Sequence, residues 1–116
     1  MQEKTCVTNE RAFEEYINSS IHALGACALL VGTLQLAYIS ATATQLLSTL
    51  IYGFTGTLAL SCSSIFHATL KSPEKRRFWR ILDHASIYLM IAGTYSPIFI
   101  SGMGSESINL GFWLVW

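Results

Sequence analysis

Three polar residues flank a basic segment in an otherwise apolar stretch of the chain. Ser63 and His67 precede this segment, and Asp83 follows it. Ser63 and His67 are four residues apart, so they project from the same face of a helix, one turn from each other. A neutral imidazole beside a carboxylate can hold a divalent ion and polarise a water molecule bound to it. His67 and Asp83 therefore indicate a candidate site for metal-assisted hydrolysis.

Two other histidines are weaker candidates for this site. His84 directly follows Asp83 and lies about 100° round the helix from it, so both cannot face inward; we interpret His84 as an interfacial residue. His22 shares a helix face with Glu15 and Asn18 and could approach from another helix, but its spacing does not require metal binding. Because a catalytic zinc needs three protein ligands, one histidine and one carboxylate are not a complete set.

The composition indicates that the chain lies in lipid. Charged residues make up 12% of the 116 residues and apolar residues 52%, whereas a soluble domain carries about 25% charged residues. The mean hydropathy is +0.44. A formal net charge of zero leaves no basic excess to neutralise phosphates, which excludes nucleic acid as an expected partner.

The apolar residues are grouped into runs of membrane-crossing length. At ~1.5 Å per residue, ~30 Å of hydrocarbon is crossed by three runs, at about 20–40, 46–70 and 81–101. A partial fourth span covers 107–116, and an N-terminal segment, 1–19, precedes the first run. Backbone polar groups in lipid must be satisfied within their own segment, so these spans are helices. We predict an all-α, polytopic membrane helix bundle that forms a single domain over 1–116.

Five of the seven basic residues cluster between the second and third predicted spans: Lys71, Lys75, Arg76, Arg77 and Arg80. The positive-inside rule predicts that this loop is cytoplasmic, and counting spans backwards puts the N-terminus on the same side. A role as a topology determinant that lies on anionic headgroups is sufficient to explain such a run and needs no bound ligand. We expect an integral protein of the inner, cytoplasmic membrane with the lipid bilayer as its partner.

This topology brings His22, His67 and Asp83 to one depth, in the cytoplasmic leaflet. Ionisable side chains within spans are costly and usually face protein or a wet cavity, which favours a functional cluster. Because the cost of burying an ionisable side chain falls toward the interface, the alternative to a functional cluster is that these side chains simply extend into the headgroup region.

Three motifs resemble those of the hemolysin III family, relatives of the progestin and adipoQ receptors. They are EEYINSSIHALG at 14–25, SSIFH at 63–67 and LDHASIYLMIAGTYSP at 82–97. The resemblance implies a seven-helix membrane fold, of which this chain would hold the N-terminal three to four helices. It also implies that His67 is a zinc ligand, that Ser63 accompanies it and that Asp83 holds the metal-bound water. The receptor relatives imply hydrolysis of a lipid amide such as ceramide.

Two departures from the family pattern affect this expectation. Ile21 stands where the family usually has threonine before His22, and no His-x-x-x-His pair, which supplies two zinc ligands in the family, is present. We therefore expect an incomplete zinc site and a chain too short to be active without a missing C-terminal half or an oligomer. The alternative function is a membrane-perturbing cytolysin that assembles helices into a lesion without bond chemistry.

Overall fold

Three long α-helices form the described part of the molecule. The structure, a computed structural model, describes residues 9–102 and 113–116, with α1 at Asn9–Ile39, α2 at Ala43–Ala68 and α3 at Pro73–Gly102. These ranges contain no strand, and the predicted all-α fold is confirmed. Most of the predicted partial span at 107–116 lies outside the described residues.

The connection between α1 and α2 is short because each helix end is satisfied locally. Thr42 has extended backbone angles (φ −127°, ψ 153°), and its hydroxyl accepts a hydrogen bond from the Gln45 N–H, as an N-cap residue does. The Gln45 side-chain oxygen in turn accepts the N–H of Ala41 at 3.1 Å. With so short a connection, α1 and α2 must run antiparallel beside each other.

The connection between α2 and α3 differs from the prediction of a basic loop. Only four residues separate the helices, and four of the five clustered basic residues lie in the first turns of α3. The physical reason is a helix start at Pro73, which has no N–H to leave unpaired at this position. Ser72 precedes it, and the Ser72 carbonyl accepts the Arg76 N–H at 2.9 Å. Most of the basic segment therefore forms the first turns of α3 rather than a loop.

The three helices lie in a single layer with α2 in the middle. Both α1 and α3 pack against α2, and their backbones do not pack against each other in the described part of the chain. The smallest dimension of the Cα framework is 17 Å. The apolar side chains that are buried are all small: Ala26, Ala59, Cys62 and Ala92. Small residues of this kind let helices in lipid approach closely.

Glycines of α2 and α3 allow close contacts between neighbouring helices. Gly53 of α2 lies against the side chain of Thr33 on α1, and Gly93 of α3 lies against the side chain of Thr55 on α2. The Thr33 hydroxyl donates to the Leu29 carbonyl at 2.7 Å, which fixes its rotamer. A Cβ atom at Gly53 or Gly93 would overlap the threonine side chain, so only glycine fits.

The large apolar side chains face away from this layer. Leu24, Leu34 and Phe54 are 71%, 61% and 68% exposed. Two helices, α1 and α2, are long and apolar enough to cross a membrane. Helix α3 covers the third predicted span, 81–101, but its stretch is less apolar because it contains Asp83 and many hydroxyl-bearing residues. The described part is an all-α membrane layer whose outer faces suit lipid or further helices.

The glycine contacts predict a position-dependent effect of adding one methyl group. We expect Gly53→Ala to lower the free energy of unfolding by about 1–3 kcal/mol, because the Thr33 side chain would be forced from its rotamer. Gly32 has nothing within 4 Å of a Cβ position, so Gly32→Ala is the matched control and should be neutral or stabilising by up to about 1 kcal/mol. Unfolding in mixed detergent micelles measures both. Equal effects of the two substitutions would contradict the close approach of α1 and α2.

Candidate functional site

The Glu15 carboxylate joins all three helices at one end of the layer. Its Oε2 atom lies 2.6 Å from Nδ1 of His67 at the end of α2, and its Oε1 accepts a hydrogen bond of 2.5 Å from Nη2 of Arg76 in the first turns of α3. Glu15 itself belongs to α1. We call Glu15, His67 and Arg76 the Glu15 network.

The register between α1 and α2 places Glu15 opposite His67. One turn further along α1, the Ser19 hydroxyl donates to the Ser64 carbonyl at 2.9 Å, and the Ser64 hydroxyl donates to the Ser19 carbonyl at 2.9 Å. Such a reciprocal pair requires two small side chains and a close approach of the two backbones. The serine pair therefore fixes the spacing at which the longer Glu15 side chain reaches the imidazole.

Aromatic contacts hold the His67 ring in one orientation. The His22 ring of α1 is stacked on it, with ring centroids 5.6 Å apart and an angle of 4° between the planes. The Phe66 ring lies 5.0 Å away and is tilted by 58°. His22, a weaker candidate in the sequence, thus belongs to the surroundings of His67 through its flat face rather than through a ring nitrogen.

Arg76 is held in place by groups other than Glu15 as well. Its Nη1 donates to the Thr69 carbonyl at 3.3 Å, just beyond the end of α2. Its guanidinium lies 4.8 Å from the centre of the Phe66 ring, and that of Arg80 lies 5.9 Å from the same ring. Cation–π contacts of this kind stabilise a guanidinium that has lost part of its water shell.

The side chains of the Glu15 network are mostly shielded from water. The His67, Glu15 and Arg76 side chains are 21%, 23% and 23% exposed. A guanidinium stays protonated and can only donate, and the carboxylate facing it is an acceptor. The lower local dielectric strengthens these charge-assisted hydrogen bonds compared with a pair in water. The Glu15 network is thus a firm connection between helix ends rather than a surface ion pair.

The three residues predicted to form the site occupy different surroundings. His67 faces α1 through its bond to Glu15, and Asp83 lies on α3 near enough to Cys62 of α2 to interact with it electrostatically. Ser63 and Asp83 are both half-buried. In the described part of the chain, neither the Ser63 hydroxyl nor the Asp83 carboxylate hydrogen-bonds to His67. The shared pocket of Ser63, His67 and Asp83 stays a prediction.

The described residues do not by themselves fit a zinc ion. Zinc at a catalytic site takes three protein ligands and keeps one position open. The hydrogen bond to Glu15 occupies Nδ1 of His67, so only Nε2 is left as a donor atom to metal. Within residues 9–100 and 113–116, no group of three histidine, cysteine, aspartate or glutamate side chains lies close enough to hold a metal. Any zinc site that includes His67 needs ligands from elsewhere.

Glu15 and Arg76 are the residues that sequence reasoning missed. The helical spacing puts Glu15 on one face of α1 with Asn18 and His22. In the structure Glu15 and His22 both contact His67, whereas Asn18 is exposed. A useful signal was present, since an acidic residue at the start of an apolar helix is costly unless it has a partner. Arg76 gave no signal because five basic residues of one cluster look alike in sequence.

The Glu15 network predicts that neighbouring arginines differ in importance. Arg76→Ala should lower the free energy of unfolding by about 1–3 kcal/mol, because it leaves the half-buried Glu15 carboxylate short of a charged donor. Arg77 is exposed, so Arg77→Ala is the matched control with the same charge change and should stay within about 0.5 kcal/mol of the parent. Unfolding in detergent micelles at low and high salt measures both. Indistinguishable losses would mean that net charge, and not the Glu15 contact, matters.

Comparison with known proteins agrees with the motifs. A family model described as "Haemolysin-III related" matches residues 11–116. A protein named "Hemolysin-3" from Bacillus cereus is 33% identical over 104 residues, covering 86% of this chain and 47% of that relative. The chain thus spans about half the length of this curated relative. No solved structure matches. Since the family model covers nearly the whole sequence, the chain belongs to the haemolysin III family of integral membrane proteins.

Proposed function

We propose that this chain forms part of a zinc-dependent hydrolase that acts on a lipid amide at the cytoplasmic interface of the inner membrane. The observation that carries the proposal is the setting of His67. Its imidazole is half-buried, held by Glu15 through Nδ1 and stacked on His22. Residues outside the described ranges, or another chain, would have to supply the remaining metal ligands.

Each predicted site residue would have its own role in such a hydrolase. His67 would bind zinc through the lone pair of Nε2. A zinc ion held there would act as a Lewis acid and lower the pKa of a bound water molecule. Asp83 is half-buried, and within the described residues its carboxylate makes no hydrogen bond or ion pair, so it is free to accept a proton from water. Ser63 lies one turn before His67 and would contribute a hydroxyl hydrogen bond. A lipid substrate is consistent with apolar helix faces next to this polar end.

The orientation of the chain follows from where its basic residues lie. The start of α1, the end of α2 and the start of α3 meet at the Glu15 network. Arg11 and the five clustered basic residues lie at this end, and the connection at 40–42 at the other end carries none. The positive-inside rule supports a cytoplasmic location for the basic end and for the N-terminus.

The hydrolase proposal is tested on this chain and on a longer relative. Because the described helices offer a single histidine for zinc, we expect the purified chain to show no stoichiometric zinc binding at nanomolar levels. A longer relative such as Hemolysin-3 should hydrolyse ceramide in a chelator-sensitive way. Alanine at its position matching Asp83 should reduce turnover by about 10²–10⁴-fold, and alanine at the position matching the exposed His84 should not. Full turnover without the aspartate would contradict the proposal.

A second candidate function is permeabilisation of membranes without bond chemistry. The name of the relative, Hemolysin-3, and the exposed apolar faces of a single helix layer favour it. Dye release from liposomes distinguishes the two functions. Release that persists in the presence of a chelator would support permeabilisation, whereas hydrolysis without release would exclude it.

The orientation is tested by labelling single cysteines in cells. In a background without Cys6, Cys27 and Cys62, Ala41→Cys should react with a membrane-impermeant maleimide in intact cells, because the 40–42 connection would face outward. Ser72→Cys, at the basic end, should react only after the membrane is permeabilised. The reverse pattern would show that the N-terminus is outside.

A further inference from the structure

We infer that Glu15 is a positioning residue that holds the neutral imidazole of His67 with its proton on Nδ1, so that Nε2 keeps its lone pair. The observation is the contact of 2.6 Å between Glu15 Oε2 and His67 Nδ1. This role rests on the proposed function, which names the metal ion that Nε2 would bind.

The position of the proton follows from what each partner can donate. Arg76 carries only donors, and its Nη2 occupies Oε1 of Glu15. A carboxylate facing a guanidinium is ionised and has no proton to donate. The contact between Oε2 and Nδ1 therefore needs a proton on the nitrogen. In a neutral imidazole one nitrogen carries the proton and the other accepts, so Nε2 is the acceptor.

The surroundings resist a rotation that would exchange the two nitrogens. His22 lies parallel to the ring on one face and Phe66 lies beside it. Glu15 is itself restrained, because Arg76 is bonded to the Thr69 carbonyl and stacked on Phe66. His67 and Arg76 are thus each oriented by contacts outside the Glu15 network, and Glu15 is held between them. A hydrogen bond that only linked two helices would not require the imidazole ring to be fixed in one orientation.

An imidazole held by a carboxylate is suited to bind a metal. A metal-binding histidine usually donates its other ring N–H to a carboxylate or a carbonyl, which fixes the tautomer and makes the free nitrogen more basic. Imidazole nitrogen is a preferred ligand of zinc and of other late first-row metals. Nε2 of His67 would therefore be one ligand atom for a divalent transition-metal ion, zinc in the proposed function, whose remaining ligands the described residues do not supply. Glu15 would act on it only through His67.

The tautomer can be read directly by nitrogen NMR. The full chain, labelled with ¹⁵N-histidine and placed in lipid nanodiscs, is measured at a pH at which the imidazole is neutral, and the His67 signals are assigned by their loss in His67→Asn. We expect the Nδ1–H tautomer in the parent, although free histidine in water favours Nε2–H. An Nε2–H tautomer in the parent would overturn the inference without any variant of Glu15.

A matched pair of substitutions tests whether Glu15 sets the tautomer. Glu15→Ala should move His67 toward the Nε2–H tautomer. Glu14 is exposed, so Glu14→Ala removes the same charge beside it and should leave the Nδ1–H signals unchanged. No shift in Glu15→Ala, or an equal shift in both variants, would contradict the role of Glu15.

This measurement is independent of hydrolysis. If the tautomer behaves as expected but the longer relative shows no chelator-sensitive turnover, the positioning role stands and zinc hydrolysis fails. If turnover is chelator-sensitive but the parent His67 carries Nε2–H, the hydrolase proposal stands and the positioning role fails.

Discussion

One carboxylate, that of Glu15, makes hydrogen bonds to side chains from both other helices at the same end of the layer. Its two oxygens face His67 of α2 and Arg76 of α3, and no other side-chain hydrogen bond in the described part links α1 to α3. A half-buried carboxylate is costly in an apolar chain unless both oxygens are satisfied. The positions of the three helix ends therefore depend on one another through the Glu15 carboxylate. The candidate site lies where these three helix ends meet.

Lipid as the solvent explains why so few contacts suffice for the rest of the layer. Apolar side chains gain little by leaving lipid for the interior, so helices associate through close backbone approach and hydrogen bonds. The Gly53 and Gly93 contacts and the Ser19–Ser64 pair supply both. The large apolar side chains stay on the outer faces, where a soluble protein would bury them.

Sequence alone predicted the all-α membrane class because hydrophobic runs of membrane length leave few alternatives. The helical spacing also places Glu15 and His22 on one face of α1, and both side chains contact His67; the role of His67 as a metal ligand stays a prediction. Sequence alone could not predict that Glu15, rather than Asp83, bonds to His67, because that choice depends on the rotation of α2 between its two neighbours. The charge pattern alone predicts a basic loop between the spans. The structure differs because Ser72 and Pro73 start α3 before four of the five clustered basic residues.

The most direct test of this account is the distance between Glu15 and His67 in a bilayer. Solid-state NMR dipolar coupling between the labelled Glu15 carboxyl carbon and the His67 ring nitrogens measures it without any substitution. A strong coupling to Nδ1, consistent with the 2.6 Å contact between Oε2 and Nδ1, and a weaker one to Nε2 are predicted. No measurable coupling to either nitrogen would contradict the shared carboxylate and the helix arrangement built on it.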